Sequence, residues 1–144
     1  GLFDERLIRN QDYELNIRLR KAGRQVMFDP TLSVGYAPRG TWRALALQYF
    51  EYGQWKAVVL RLHPGSVKAR QLVPPIGILG VLTGLVVGRR WPFALVLPLA
   101  YSGAIVSVTW RQRIRRARFV VAVLVIHGAW TAGIVSGLLS WRRV

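Results

Sequence analysis

Three uncharged, apolar stretches fill the second half of the chain. They cover residues 72–88, 91–110 and 119–141 and are 17, 20 and 23 residues long. A helix needs about 20 apolar residues to cross a bilayer, and about 17 is the lower end of the range. The pattern therefore predicts three transmembrane helices within residues 72–144. Three buried helices of a soluble domain are the alternative, but successive runs of this length make that alternative improbable.

Prolines in the first two runs change the predicted shape of those helices. The first run is short and rich in glycine and proline, so a re-entrant segment is the alternative to a full crossing there. Pro74 and Pro75 fall near its start, where missing N–H groups cost least. Pro98 falls in the middle of the second run and predicts a kink there.

The first half of the chain has shorter patterns. Residues 12–22 have apolar side chains at helical spacing, with Asn10 or Asp12 as the N-cap residue. Residues 24–30 are predicted to be a short strand that ends at a proline, and residues 32–36 a second extended piece.

Residues 41–62 form a second predicted helix whose apolar residues recur every three or four positions. The members of this stripe are Trp42, Leu45, Tyr49, Tyr52, Trp55 and Val59. Basic residues flank the stripe. An aromatic, basic helix next to a membrane span is suited to the headgroup plane, so residues 41–71 are predicted to be an interface helix and linker. Packing on its own domain is a second interpretation, and the two are compatible.

The net charge of +15 is concentrated beside the most apolar sequence. Residues 1–40 contain seven basic and five acidic residues, a net of +2, and residues 41–71 contain five and one, a net of +4. Residues 72–144 contain nine arginines and no acid, a net of +9. A nucleic-acid-binding protein spreads its basic residues over a soluble face. Here arginines separate apolar runs, as juxtamembrane residues do, which indicates membrane lipids as partners and no nucleic acid.

The same arginines predict an orientation. Residues 111–118 contain five arginines, whereas the other connection and the C-terminal tail contain two each. Because positive residues favour the cytoplasm, residues 1–71 and 111–118 are expected in the cytoplasm and the C-terminus outside. The expected location is the inner membrane.

Two features of the third run have specific interpretations. His127 is an ionisable residue deep in a span, which raises the hypothesis of a functional site. A neutral imidazole bonded to a neighbouring helix is the interpretation that we favour. Gly133 and Gly137 form a small-xxx-small pair, through which helices can approach closely.

Three motifs occur in order in the first 56 residues. They are Gly-Leu-Phe-Asp-Glu at 1–5, Asn-Gln-Asp-Tyr-Glu-Leu at 10–15 with Arg-Leu-Arg-Lys-Ala-Gly at 18–23, and Gln-Tyr-Phe-Glu-Tyr-Gly-Gln-Trp-Lys at 48–56. Together they resemble family 2 glycosyltransferases with a GT-A catalytic domain and C-terminal membrane helices. Bacterial transferases of the succinoglycan and exopolysaccharide type are the most similar subgroup. The resemblance implies a mainly α chain in which residues 1–40 end an α/β catalytic domain.

The resemblance also implies roles for single residues. Asp12 occupies the position of the general base, which removes the acceptor proton as the hydroxyl attacks the anomeric carbon. A purely structural role as a helix cap is the alternative. Gln11 stands where the family commonly has Glu. Gln48 matches the first position of a Gln-x-x-Arg-Trp element, in which Glu51 replaces the Arg and Tyr52 the Trp.

A contact between residue 51 and a diphosphate is in doubt, because like charges repel; the same departure argues against a processive enzyme. Arg43 or Lys56 can compensate. The substrate-binding candidates are Gln11, Gln48, Tyr52, Trp55, Lys56 and Arg43.

The implied activity is inverting transfer of a sugar from a nucleotide-sugar donor to a lipid-linked or polysaccharide acceptor at the cytoplasmic membrane face. The chain has no cysteine, so disulfides and thiolate metal sites are excluded. It starts without Met and lacks an Asp-x-Asp element. We therefore expect a C-terminal fragment that is inactive alone, with the ligands of a divalent metal (Mg²⁺ or Mn²⁺) upstream. The alternatives are a non-enzymatic membrane adaptor or transporter-like subunit that uses His127, and a basic module that recruits anionic lipid through residues 42–61.

Overall fold

The computed structural model describes residues 2–38, 40–112 and 115–140. This part of the chain contains five α-helices: α1 (Gln11–Lys21), α2 (Trp42–Leu62), α3 (Ala69–Val87), α4 (Val96–Trp110) and α5 (Arg116–Leu139). Two 3₁₀ turns, Pro64–Ser66 and Pro92–Leu95, precede α3 and α4. The predicted mainly helical class is confirmed. Some predicted features lie outside the described residues, namely Gly1 of the first motif, Arg113 and Ile114 of the arginine-rich connection, and the end of the third span and tail from Trp141 to Val144.

Three of the helical segments are long and apolar enough to cross a membrane. Ala69–Val87, Pro92–Trp110 and Arg116–Leu139 contain 19, 19 and 24 residues, with mean hydropathies of 1.5, 1.7 and 2.0. At about 1.5 Å per residue, the shortest is about 28 Å long, close to the hydrocarbon thickness of a bilayer. By length and composition, the three predicted membrane helices are confirmed.

Pro98 was predicted to kink the middle of a helix, but it lies near the start of α4. The 3₁₀ turn Pro92–Leu95 precedes α4, so Pro98 is the third residue of that helix. A proline in the first turn breaks no helical hydrogen bond, because the first N–H groups of a helix have no partner within it. The irregularity in the second apolar run therefore falls before Pro98.

The two predicted extended pieces are not strands. Residues 24–38 are irregular apart from a turn at 30–31, and their side chains are exposed. A strand needs a neighbouring strand to satisfy its backbone groups, and the described residues offer none. This correction applies to residues 24–30 and 32–36 alike.

The closest helix contact joins α2 to α5, and the two helices run parallel. Gly53 lies against Trp130–Ile134, and Arg61 donates to the Leu138 carbonyl at 2.6 Å. Backbone atoms of the two helices form this contact directly, because glycines remove the side chains between them. A Cβ atom on Gly53 would lie 2.5 Å from the Trp130 oxygen, and one on Gly137 would lie 2.7 Å from the Gln54 oxygen.

Gly133 completes this contact, since its Cα faces Gly53 and the Phe50 carbonyl. The predicted close approach through Gly133 and Gly137 is confirmed, with α2 as the partner helix. Gln54 adds a side-chain hydrogen bond to the Ser136 hydroxyl at 3.1 Å.

This contact bears on the membrane arrangement predicted from charge. It places the ends of α2 and α5 side by side, whereas the charge rule puts residues 1–71 and the C-terminus on opposite faces. Because α2 runs parallel to α5, the two helices have the same tilt relative to the membrane. A flat α2 in the headgroup plane would therefore require a strongly tilted α5. Both the interface placement of residues 41–71 and the external C-terminus stay predictions.

The three apolar helices also contact one another through glycine and one polar pair. Gly77 of α3 faces the ring of Tyr101, and a Cβ on Gly84 would lie 2.5 Å from Cδ of Pro98. The Tyr101 hydroxyl pairs with Nδ1 of His127 at 2.8 Å. The interpretation that His127 is bonded to a neighbouring helix is thereby confirmed.

We predict that Gly133→Ala destabilises the protein by about 1–3 kcal/mol, because the new methyl group has no room beside the Phe50 carbonyl. Gly128→Ala is the matched control, since no atom lies within 4 Å of a Cβ built at that position. Thermal unfolding of both variants in detergent measures the difference. Equal melting temperatures would contradict the α2–α5 contact.

Candidate functional site

The N-terminal segment packs against the second half of α2. Leu7, Val58 and Val59 are fully or almost fully buried and form a small core. Tyr13 and Ile17, one face of α1, pack against it. Apolar burial on this scale contributes about 2 kcal/mol for each buried side chain, so the core fixes which face of α1 points away from α2.

A buried carboxylate fastens α1 to the end of α2. Glu14 is 2% exposed and accepts hydrogen bonds from Nε of Arg18 at 2.8 and 2.9 Å. Nε2 of His63, the residue after α2, lies 2.9 Å from the same carboxylate. Lys21 contacts Nδ1 of His63 at 3.3 Å, and since an ammonium can only donate, Nδ1 is the acceptor and Nε2–H donates to Glu14. The Glu14 clamp, as we name Glu14, Arg18 and His63, joins the two helices by charge-assisted bonds.

Asp12 projects from the opposite, open side of α1. It is the second residue of the helix and is exposed, with no hydrogen bond or ion pair to the described residues. A negative charge is stabilised at this end of a helix. Asn10 is the N-cap residue by position, in a left-handed conformation (φ 62°), but its side chain does not cap. Its amide instead donates to the Tyr52 carbonyl at 3.2 Å.

Asp12 does not act as a helix cap in this structure. An N-cap side chain accepts a hydrogen bond from the backbone of the first turn, and Asp12 accepts none among the described groups. The carboxylate is exposed in the first turn of α1.

A second group of polar residues lies where α1 begins and α2 passes its middle. Gln48 donates to the Tyr52 hydroxyl at 3.1 Å. Arg9 pairs with Glu51 at 2.6 Å, and its guanidinium carbon lies 5.7 Å from the centre of the Tyr52 ring. The negative charge of Glu51, which by itself would repel a diphosphate, is thus compensated by Arg9.

The structure brings Gln48 and Tyr52 together and, through Asn10 and Arg9, places them beside the start of α1, where Asp12 is the second helical residue. It gives three of the other candidates different positions. Gln11 donates to the Leu7 carbonyl, Trp55 packs on the buried core, and Arg43 is exposed in the first turn of α2. At about 1.5 Å per residue, Arg43 lies about 14 Å along the helix from Tyr52, outside this group.

Lys56 is a predicted binding residue that the structure buries. It is 2% exposed, and its Nζ atom lies 3.6 Å from the centre of the Tyr13 ring. The Tyr13 hydroxyl donates to the Ser66 carbonyl at 2.7 Å. Burial lowers the pKa of the Lys56 ammonium, the contact with Tyr13 opposes that shift, and the charge of Lys68 adds to it.

Several residues with clear roles here were not singled out by their sequence pattern. The spacing of Glu14 and Arg18, four apart on one helix, could have indicated their ion pair. No local signal could have identified His63 or Arg9 as partners, because each meets a residue more than 40 positions away.

A metal site is not found in the part of the chain that the structure describes, where no three His, Asp or Glu side chains come together. The divalent metal stays an expectation about residues outside this sequence.

Comparison with known proteins gives one informative match. The chain is 31% identical, over 151 aligned positions, to the succinoglycan biosynthesis protein ExoA of Rhizobium meliloti (strain 1021). The match covers 99% of this chain but 44% of that protein, so the chain spans less than half the length of its relative. No protein-family model and no solved structure matches. The resemblance to succinoglycan-type proteins, inferred from three motifs, is confirmed along almost the whole chain.

We predict that Glu14→Ala loosens α1 from α2 and lowers stability by about 2 kcal/mol, because it leaves the Arg18 guanidinium and the Nε2–H group of His63 without their shared carboxylate. Glu5→Ala is the control, since Glu5 is exposed. Thermal unfolding measures the difference, and limited proteolysis should cut the α1 segment of the first variant faster. Identical behaviour of the two variants would show that the clamp contributes nothing.

Proposed function

From the match to a succinoglycan biosynthesis protein, we propose that this chain is part of an inverting glycosyltransferase. The whole protein would move a sugar from a nucleotide-sugar donor to a lipid-linked or polysaccharide acceptor. The transfer would take place at the cytoplasmic face of the inner membrane, with residues 1–71 on that face. A divalent metal, Mg²⁺ or Mn²⁺, would neutralise the donor diphosphate, held by residues outside this sequence.

The observation that carries the proposal is the exposed, unpaired carboxylate of Asp12 on a helix that is fixed to its neighbour. In an inverting transfer the acceptor oxygen attacks the anomeric carbon, the bond from that carbon to the diphosphate oxygen breaks, and the acceptor proton needs a base. Asp12 is in our proposal that base. Its carboxylate takes the proton while the nucleoside diphosphate leaves with the bonding electrons.

The polar group beside the start of α1 supports an acceptor site rather than a donor site. Tyr52 offers an aromatic ring, and Gln48 offers an amide that can bond to sugar hydroxyls. Arg9 lies over the Tyr52 ring and pairs with Glu51. Such a surface has little net charge, which suits a neutral saccharide better than a diphosphate.

The membrane helices support the proposal that the acceptor is bound to a lipid. α2 is packed on α5, and α1 is packed on α2, so Asp12 is held at a fixed place relative to an apolar helix that is long enough to span. An enzyme with that arrangement can meet an acceptor whose lipid tail stays in the bilayer.

We predict that Asp12→Asn in the full-length protein lowers sugar transfer at least about a thousandfold, because the amide cannot accept the acceptor proton. Binding of the nucleotide sugar should be unchanged, since Asp12 contacts the acceptor in this proposal. Radiolabelled sugar transfer and equilibrium binding measure the two quantities. Asp29→Asn, an exposed change in the irregular segment, is the matched control and should retain activity.

Two outcomes would contradict the proposal. Transfer that survives in Asp12→Asn would remove the base assignment. A full-length protein with no transferase activity on any lipid-linked or polysaccharide acceptor would favour the alternative of a membrane adaptor.

A further inference from the structure

Lys56 is a buried cation whose charge is not matched by the described part of the chain. Its Nζ atom is inaccessible to solvent and forms no hydrogen bond or ion pair with a described residue. Glu51 of its own helix pairs with Arg9, and Glu14 of α1 belongs to the clamp, so both carboxylates are engaged elsewhere. Burial of an ammonium without an anionic partner is costly, and the ring of Tyr13 offsets that cost only in part.

A second unsatisfied donor lies at the same place. The Ser66 hydroxyl is also buried and has no hydrogen-bond partner in the described residues. Tyr13 connects the two groups, because its ring contacts the Lys56 ammonium and its hydroxyl donates to the Ser66 backbone. We call Tyr13, Lys56 and Ser66 the junction node, since it joins α1, α2 and the turn before α3.

The surroundings of the junction node are positive. Lys68 is close enough to lower the pKa of Lys56, and it precedes the first residue of α3. α3 is a 19-residue helix whose N-terminal N–H groups add positive potential at that end. No acidic residue occurs between Glu51 and the end of the chain.

We propose that the junction node binds a phosphate group, held by the Lys56 ammonium and the Ser66 hydroxyl. Phosphate accepts several hydrogen bonds at once and carries the negative charge that the node lacks. The four-carbon lysine stem is flexible, so the ammonium can leave the Tyr13 ring to meet the anion.

Two molecules of the proposed reaction carry phosphate, namely a lipid-linked acceptor and the nucleotide-sugar donor; the inference thus rests on the proposed function. The position of the node favours the lipid. It adjoins Ala69, where the first apolar helix begins, and a lipid phosphate occupies the surface of the bilayer.

Binding by the full-length protein in nanodiscs tests the proposal. The probes are a polyprenyl monophosphate in the lipid phase and UDP in solution, titrated into wild type and Lys56→Met. We expect the variant to bind the lipid phosphate about tenfold more weakly and UDP equally well, because one charge-assisted bond is lost. Lys21→Met removes the same charge from the exposed end of α1 and should change neither affinity.

A thermal measurement separates binding from a structural role. Without phosphate, Lys56→Met should melt at or above the wild-type temperature, because a buried charge without an anion is replaced by an apolar side chain. With the lipid phosphate added, wild type should gain stability and the variant should not. Ser66→Ala should also weaken lipid binding, to a smaller extent. This variant tests the site if Lys56→Met does not fold.

The outcomes are distinct. Weaker UDP binding with unchanged lipid binding would keep the phosphate site and assign it to the donor. Unchanged affinity for both probes in Lys56→Met would overturn the site, as would a lowered melting temperature with no effect of phosphate. None of these measurements requires turnover, so failure of the base assignment for Asp12 would leave them interpretable.

Discussion

The parallel contact of α2 with α5 is the constraint on which the rest of the arrangement depends. Gly53, Gly133 and Gly137 let two backbones meet with carbonyl oxygens against Cα atoms. Such closeness is possible only without side chains, and small residues promote it between helices in apolar surroundings. Because the contact continues to Arg61 at the end of α2, it fixes the whole second half of that helix.

The polar features of the candidate site are attached to α2, at Gln48, Glu51 and Tyr52 near its middle and at His63 directly after its end. The small core around Leu7 sets the rotation of α1, and the Glu14 clamp fixes its far end. The near end is held by Asn10 on the Tyr52 carbonyl. Asp12 can therefore be exposed and still be fixed in position, which is the requirement for a base that must meet an acceptor hydroxyl.

The sequence predicted those features that depend on local pattern. Uncharged runs of bilayer length predicted α3 to α5, and spacing predicted α1 and α2, because periodicity reports directly on helices. Local pattern failed where distant partners decide the outcome. The segment 24–38 was predicted to be extended, but a strand exists only with a neighbour. The prediction for α2 considered only its large apolar side chains. It therefore missed the face with Gly53 and Ala57, which contacts α5. The burial of Lys56 could not be predicted from local pattern either, since Lys56 packs on Tyr13, which lies 43 positions earlier in the chain.

Thiol cross-linking tests the α2–α5 contact most directly, in a chain that has no cysteine of its own. Gln54 and Ser136 meet across this contact, where their side chains are hydrogen-bonded at 3.1 Å. A short thiol-reactive cross-linker applied in membranes should therefore join Gln54→Cys with Ser136→Cys, and not Gln54→Cys with Gly128→Cys. Absence of the first cross-link, or equal yields from both pairs, would contradict the account.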